Sequence, residues 1–300
     1  MSFGLGVYSP FGLGLEWPQN TGFRTLATKA SLTTAALNPV VAVKLFSGLS
    51  LGAGMVVNYT RVDLQQGLTP LPYNDLFRFK GDGWDVGYNL GVLWQPYDII
   101  SFGATFRSGM KVGLNGQTET ELNGVQPTTY SPASTDLPLP LKAIFGVSYR
   151  PTPKWNLEFD ADYTDWNQVQ TLNIHQASPP PVVPLSQVPV TLDWQSSWYF
   201  EFGATRYFDS GWHVSAGYIY NENSVPDAHY SPLVADLDRH FLSIGTGYKG
   251  ERFDFDVAYQ FGFAPSRTVT GSASSAAGQT ADGKYGFISQ GVSASVEVHF

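Results

Sequence analysis

Period-two alternation, sustained to the last residue, limits how this chain can fold more than any other feature. Over Lys284–Phe300 the apolar residues Val292, Ala294, Val296, Val298 and Phe300 alternate with Ser293, Ser295, Glu297 and His299. Successive side chains of a strand point to opposite faces, so this segment reads as a β-strand with one greasy and one wet face. In water, such a terminal strand is an exposed edge and an aggregation liability. In a membrane barrel, the last strand pairs back and removes the edge.

Composition points the same way. Charged residues make up only 14% of the 300 and aromatics 15%, whereas a soluble domain carries about 25% charge. No apolar run approaches the ~20 residues of a membrane helix, and mean hydropathy is −0.11. Alternation reconciles these facts, because averaging over lipid-facing and lumen-facing positions hides the membrane signal. With no cysteine in the chain, disulfides, thiolate zinc sites and thiol nucleophiles are excluded. A net charge of −8 without a basic block argues against nucleic acid as a partner. The opening MSFGLGVYSPFG lacks the basic and apolar regions of a secretory leader, so the reading frame is expected to lack its N-terminal part.

Read in order, the alternation predicts twelve strands: Met1–Tyr8, Ser31–Phe46, Leu49–Asp63, Gly83–Trp94, Ile99–Lys111, Leu139–Arg150, Lys154–Ile174, Val190–Tyr207, Trp212–Tyr220, Asp236–Tyr248, Arg252–Phe263 and Lys284–Phe300. In Gly83–Trp94, one face carries Trp84, Val86, Tyr88, Leu90, Val92 and Trp94. Tryptophan at both ends of such a row fits two interfacial girdles. Five tight turns alternate with longer loops, among them Leu64–Phe79 and Gly113–Asp136, which are expected to form the outer capture surface. Short turns on one side and long loops on the other are the sidedness of an outer-membrane barrel. The expectation is one all-β domain over residues 1–300, an antiparallel transmembrane β-barrel with lipid outside and a polar lumen. Val296, Val298 and Phe300 resemble the terminal signal that bacterial barrels present to their assembly machinery.

Several stretches resemble the FadL/TodX family of outer-membrane transporters for long-chain fatty acids and other hydrophobic compounds. Asn38-Pro39 through Leu45 precedes LSLGAG, Gly81-Asp82-Gly83-Trp84 is followed by Gly87-Tyr88-Asn89, and Phe102–Lys111 reads FGATFRSGMK. The most specific match is Ser224-Val225-Pro226 with Leu237-Asp238-Arg239, Leu242-Ser243 and Gly245. The resemblance covers essentially the whole chain. It implies a barrel of about fourteen strands with an N-terminal hatch, of which the hatch and first strands are missing here. It further implies a monomer in the bacterial outer membrane, contact with membrane lipid and lipopolysaccharide, no cofactor and no catalysis. A hydrophobic ligand would be captured on the loop side and released passively through the wall. Ser9-Pro10-Phe11-Gly12 falls where the family kinks a strand to open the wall, and a proline there deletes a ladder hydrogen bond.

A fatty-acid carboxylate needs a basic or hydrogen-bonding partner. By strand parity Arg107 and Arg239 face inward near the loop side and are the first candidate ligand-binding residues, with Lys111 behind them. The competing reading is that each pairs with a lumen carboxylate such as Asp85, Asp160 or Asp238. Neutral aromatic hydrocarbons remain an alternative cargo, and a general diffusion porin an alternative function. The five histidines show no metal-ligand spacing, and no Gly-x-Ser-x-Gly occurs; His213 and His299 are expected to meet lumen acids in structural roles.

Overall fold

The computed structural model describes residues 1–71, 74–122 and 126–299. Its strands are β1 (Ser2–Tyr8), β2 (Gly12–Glu16), β3 (Lys29–Phe46), β4 (Leu49–Gln66), β5 (Leu76–Tyr97), β6 (Ile100–Arg107), β7 (Met110–Leu122), β8 (Gln126–Leu139), β9 (Lys142–Thr152), β10 (Trp155–Thr164), β11 (Thr171–Gln176), β12 (Gln187–Thr191), β13 (Ser197–Tyr207), β14 (Trp212–Asn221), β15 (Arg239–Lys249), β16 (Phe253–Val269), the two-residue pair β17 (Ser275–Ala276) and β18 (Gln279–Thr280), and β19 (Gly283–Val298). Helix is confined to three single 3-10 turns among the described residues, none able to cross a membrane.

All twelve expected strands are present. They become nineteen because five are interrupted and one small hairpin is added. On the turn side, antiparallel ladders run β1-β3-β4-β5-β6-β9-β10-β13-β14-β15-β16-β19. On the loop side, a second series runs β2-β3-β4-β5-β7-β8-β11-β12. Among the described residues no ladder joins β1 to β19.

The two expected loops are shorter than alternation predicts. The β4–β5 ladder continues from Asp63↔Lys80 to Gln66↔Phe77, and Gly113↔Asp136 lies inside the β7–β8 hairpin. The hairpin was hidden because its inward face is partly hydroxyl. Thr118, Thr120 and Ser131 are buried, and threonine suits a strand as well as an apolar β-branched residue does.

Burial shows what each face meets. On β5 the row Trp84, Val86, Tyr88, Leu90, Val92 and Trp94 is exposed, Trp84 by 67%, which in water would waste their apolar area. Facing the lumen, Asn38 donates to the Met55 carbonyl at 2.7 Å and to Asn89 at 3.1 Å. Toward the loop side this polarity reverses. The outward face there carries Arg78, bound to Asp63 at 2.7 Å and to Glu119 at 3.5 Å. The inward face carries a core of Val62, Phe79, Val112, Leu114 and Ile174. The turn half is built for lipid outside, and the loop half for water outside.

Three strand breaks mark the level of reversal. Tyr8 and Phe11, Arg107 and Met110, and Leu139 and Lys142 are each three residues apart, yet both members of each pair face inward. An unbroken strand would put them on opposite faces. At Ser108-Gly109 the step from Arg107 to Asn115 is one residue longer than the facing step from Asn89 to Asp82, which is a β-bulge. Side chains replace the lost ladder bonds: Ser108 Oγ accepts from the Tyr88 amide at 3.0 Å, and Asp85 accepts from the Lys111 amide at 2.6 Å.

A buried ion pair ties down the loop-side end of β4. Arg24 donates to Asp75 at 2.5 Å and to the carbonyls of Thr69 and Asp75 at 2.6 and 2.7 Å. Burial disfavours the charged form of Asp75, but hydrogen bonds from Thr69, Arg24 and the Leu68 amide outweigh it and hold its carboxyl below the usual range. Asp63 is likewise lowered: burial opposes ionisation, and the bond and charge of Arg78 prevail.

This architecture makes two testable demands. A carboxyl depressed in the folded state contributes stability above the ordinary aspartate pKa and loses it as pH falls through the depressed value. Protease nicking of the β4–β5 connection should therefore rise as pH drops below the ordinary aspartate range, and Arg24→Met should produce that nicking at neutral pH by removing the charge opposite the buried Asp75, a cost of about 3–5 kcal/mol. Nicking that ignores pH would refute the assignment. At the first tight turn Gly48 has φ +91 and a Cβ there would strike the Gln95 carbonyl oxygen. Gly48→Ala should lower the urea midpoint by about 1–3 kcal/mol equivalent, whereas Gly52→Ala, with ordinary van der Waals room, should leave it unchanged.

Candidate functional site

The strand break Ser9-Pro10-Phe11-Gly12 forms because Pro10 has no N–H to donate. Across it, Tyr8 pairs with Ala36 and Gly12 with Thr33, so the broken strand carries one residue more than its partner. Thr34 takes over the missing bonding. Its hydroxyl accepts from the Phe11 amide at 3.0 Å and donates to the Phe11 carbonyl at 2.5 Å, with Ser9 Oγ 3.3 Å away. The extra residue flips the parity of the strand beyond it, so Phe11, Leu13 and Leu15 turn into the interior.

Behind the break lies a cavity of about 330 Å³ that reaches Pro10, Phe11 and Gly12. It adjoins a second of about 80 Å³ lined by apolar side chains and Ser31. The two share Leu13, Leu32, Leu137, Val169, Trp194 and Val234. Three rings stand between the break and the deeper cavity: Phe11 meets Trp166 edge-on at 5.6 Å, and Trp166 meets Trp194 edge-on at 5.2 Å. Trp166 sits on a 3-10 turn, Trp166–Gln168, whose preceding Asp165 accepts from Ser196 at 2.8 Å and Gln168 at 2.8 Å. Sequence reasoning missed this trio, because Trp166 and Trp194 lie in the irregular joints of interrupted strands.

The loop-side roof of the cavity is the segment between β14 and β15, in which the SVP and LDR motifs sit. Val225, Tyr230 and Leu237 are buried against Val269 and Tyr285. Burial, with the neighbouring Tyr285 ring, raises the Tyr230 phenol. Burial and nearby Asp282 push Tyr285 up to about 12. Both stay neutral at physiological pH. Arg267 fastens the segment by donating to Asp227 at 2.6 Å and to the Val225 carbonyl at 2.6 Å.

The three candidate basic residues fall in different places. Arg239 lines the cavity, but its charge is opposed by Asp236 at 3.1 Å, not by Asp238, and its guanidinium lies 4.8 Å from the Phe287 ring centroid. Arg107 faces the lumen just below the break, 4.9 Å from the Tyr8 ring centroid. Its Nε is buried without a partner, and no carboxylate among the described residues forms an ion pair with it. Lys111 is not in the lumen. The bulge at Ser108-Gly109 turns it outward, where it is 68% exposed and paired with Asp136 at 2.7 Å. Parity counted through a bulge assigns the wrong face.

His213 bonds Asp256 at 2.6 Å and His299 approaches Asp254 at 3.3 Å, as expected of structural lumen pairs. Val296 and Val298 stand on the exposed apolar face of β19, opposite Phe255 and Phe253. Phe300 lies outside the described residues.

The family described as outer membrane protein transport protein (OMPP1/FadL/TodX) matches residues 1–300. A long-chain fatty acid transport protein of Escherichia coli O6:H1 is 24% identical over 299 residues, covering 87% of this chain and 66% of the relative. The 47 kDa outer membrane protein of Pasteurella multocida is 22% identical, covering 87% and 65%. The chain thus spans slightly less than two thirds of the length of these relatives. Among solved structures, a Pseudomonas aeruginosa FadL homologue superposes with TM-score 0.81 at 21% identity, covering 98% of this chain and 72% of the other. The Ralstonia pickettii toluene transporter TbuX gives 0.73 at 16% identity, covering 99% and 78%. With a transmembrane-type β-wall and a family match along its full length, this chain belongs to the OMPP1/FadL/TodX family of bacterial outer-membrane proteins.

Proposed function

We propose that the chain carries hydrophobic compounds across the outer membrane by holding them in the cavity behind the strand break and releasing them sideways through the break. The observation that carries this reading is the cavity at Pro10, Phe11 and Gly12 in the wall, which shares Leu13, Leu32, Leu137, Val169, Trp194 and Val234 with the apolar cavity beside it. Apolar burial at about 25 cal/mol per Å² supplies the driving force for capture. Release then needs only a hydrophobic medium on the far side of the break. The outward apolar rows put lipid there.

Within this reading Arg107 is the residue that meets an acidic headgroup. It is an inward cation next to the break whose charge has no carboxylate partner among the described residues. Arg239 holds the cavity's polar end through Asp236, and Lys111 has no part in the lumen. The fatty-acid and toluene transporters among its relatives support hydrophobic cargo of either kind. A general diffusion porin is disfavoured, because the loop half of the interior is filled by two apolar clusters. The loop-side ends of the β4–β5 and β7–β8 hairpins serve as the capture surface, their tips at 72–73 and 123–125 lying outside the described residues, and no catalytic step is required. Assembly through the terminal β19 signal and a monomeric state in contact with lipid and lipopolysaccharide belong to the same reading.

Uptake of labelled oleate and toluene by cells lacking their own transporter tests it. Leu32→Asn, in the wall shared by both cavities, should cut uptake of both compounds about tenfold by spoiling apolar burial while the barrel keeps its heat-modifiable mobility on gels. Unchanged uptake would refute the cavity as the route. Arg107→Gln should lower oleate uptake about tenfold or more, the worth of one charge-assisted hydrogen bond, and leave toluene uptake intact. Equal loss of both would show that Arg107 acts structurally through Tyr8.

A further inference from the structure

A cleft of about 540 Å³, larger than the cavity behind the break, opens on the outer wall between β8 and the segment that leads into β11. Its origin is legible in the chain. β8 carries Pro127, Pro132 and Pro138, which cannot donate to a neighbour. Toward β11 its ladder is reduced to Ser134↔His175 and Ala133↔Gln176. The wall closes again only where the Asp165 amide donates to the Leu141 carbonyl at 3.0 Å.

The cleft has a definite chemistry. Asn115, Asn173 and His175 line it and are exposed, and none of their side chains is bonded within the described protein. Each offers both donor and acceptor capacity. Gln168 and Thr171 extend the same lining. Lys111 and Asp136, the charged pair on the lining, neutralise each other at 2.7 Å. Among the described lining residues no unpaired cation waits for a phosphate, and no unpaired carboxylate for an amine. Unspent groups that both give and accept hydrogen bonds, with zero net charge, match the hydroxyls of a sugar.

Height supplies the source. Asn115 pairs with Asp82, two residues beyond Trp84, where the outward apolar row of β5 ends. The cleft therefore opens at the level of lipid headgroups, directly above the surface that acyl chains cover. We propose that it binds the uncharged sugar headgroup of a glycolipid in the outer leaflet, with the tails lying against the wall below.

Native mass spectrometry of the full chain, released from phosphatidylcholine nanodiscs with and without digalactosyl diacylglycerol, tests this. The galactolipid should be retained about tenfold over phosphatidylcholine, the worth of one or two net hydrogen bonds. Asn115→Leu with Asn173→Leu should abolish that preference, and Gln117→Leu, on the same outward row but outside the cleft, should preserve it. Heat-modifiable gel mobility reports that each variant is folded. No preference for the sugar, or a preference that survives the double substitution, would overturn the proposal. Free digalactose that competes as well as the anchored lipid would overturn the membrane as its source. Uptake of toluene does not enter this test, so it stands or falls apart from the transport reading.

Discussion

One wall must face two solvents, and the rest of the structure depends on that constraint. Along β4 and β5 the outward residues are apolar from the tight turn to Tyr59 and Trp84, then charged from Arg61 and Asp82 onward. An unbroken period-two strand can meet this demand only if its composition reverses on both faces at one height. β3, β4 and β5 do so. The other solution is to insert one residue, which exchanges the faces without changing the pattern. Ser9-Pro10-Phe11 and Ser108-Gly109 use it.

Each insertion costs ladder hydrogen bonds, and an unsatisfied buried amide is expensive. Thr34, Ser108 and Asp85 meet that cost with side-chain oxygens placed where a strand carbonyl or amide would have been. The breaks are thus built features of the wall. They also create the cavity, because the flip that sends Lys111 out brings Met110 in, and the flip at Pro10 brings in Phe11 and Leu13. The inward apolar residues and the strand break beside them arise from the same backbone event.

The loop half behaves as a small soluble protein set on the rim of a membrane protein. It has its own apolar clusters, an outer face of paired charges, and a buried Arg24–Asp75 pair that is costly to desolvate and gains its worth from geometry. Its roof is an irregular segment pinned by Arg267, not a strand. In the proposed function this is the half where a hydrophobic ligand is held away from lipid before it is handed down to it.

Alternation by itself determined the twelve spans of the wall, the tight turns, the sidedness and which face of the turn half meets lipid, since period two is a direct record of a two-faced environment. The Pro10 break was legible too, as proline can only interrupt a ladder. Hidden from a linear reading were the face of Lys111, the hydroxyl-lined β7–β8 hairpin, and the meeting of Phe11, Trp166 and Trp194. A single inserted residue inverts every side chain after it, and nothing in the local composition of Ser108-Gly109 announces whether the extra residue is absorbed there. Which carboxylate meets Arg239, and that Arg107 meets none among the described residues, depend on contacts between strands far apart in sequence. Those were decided only when the sheet curled and brought its inner faces together.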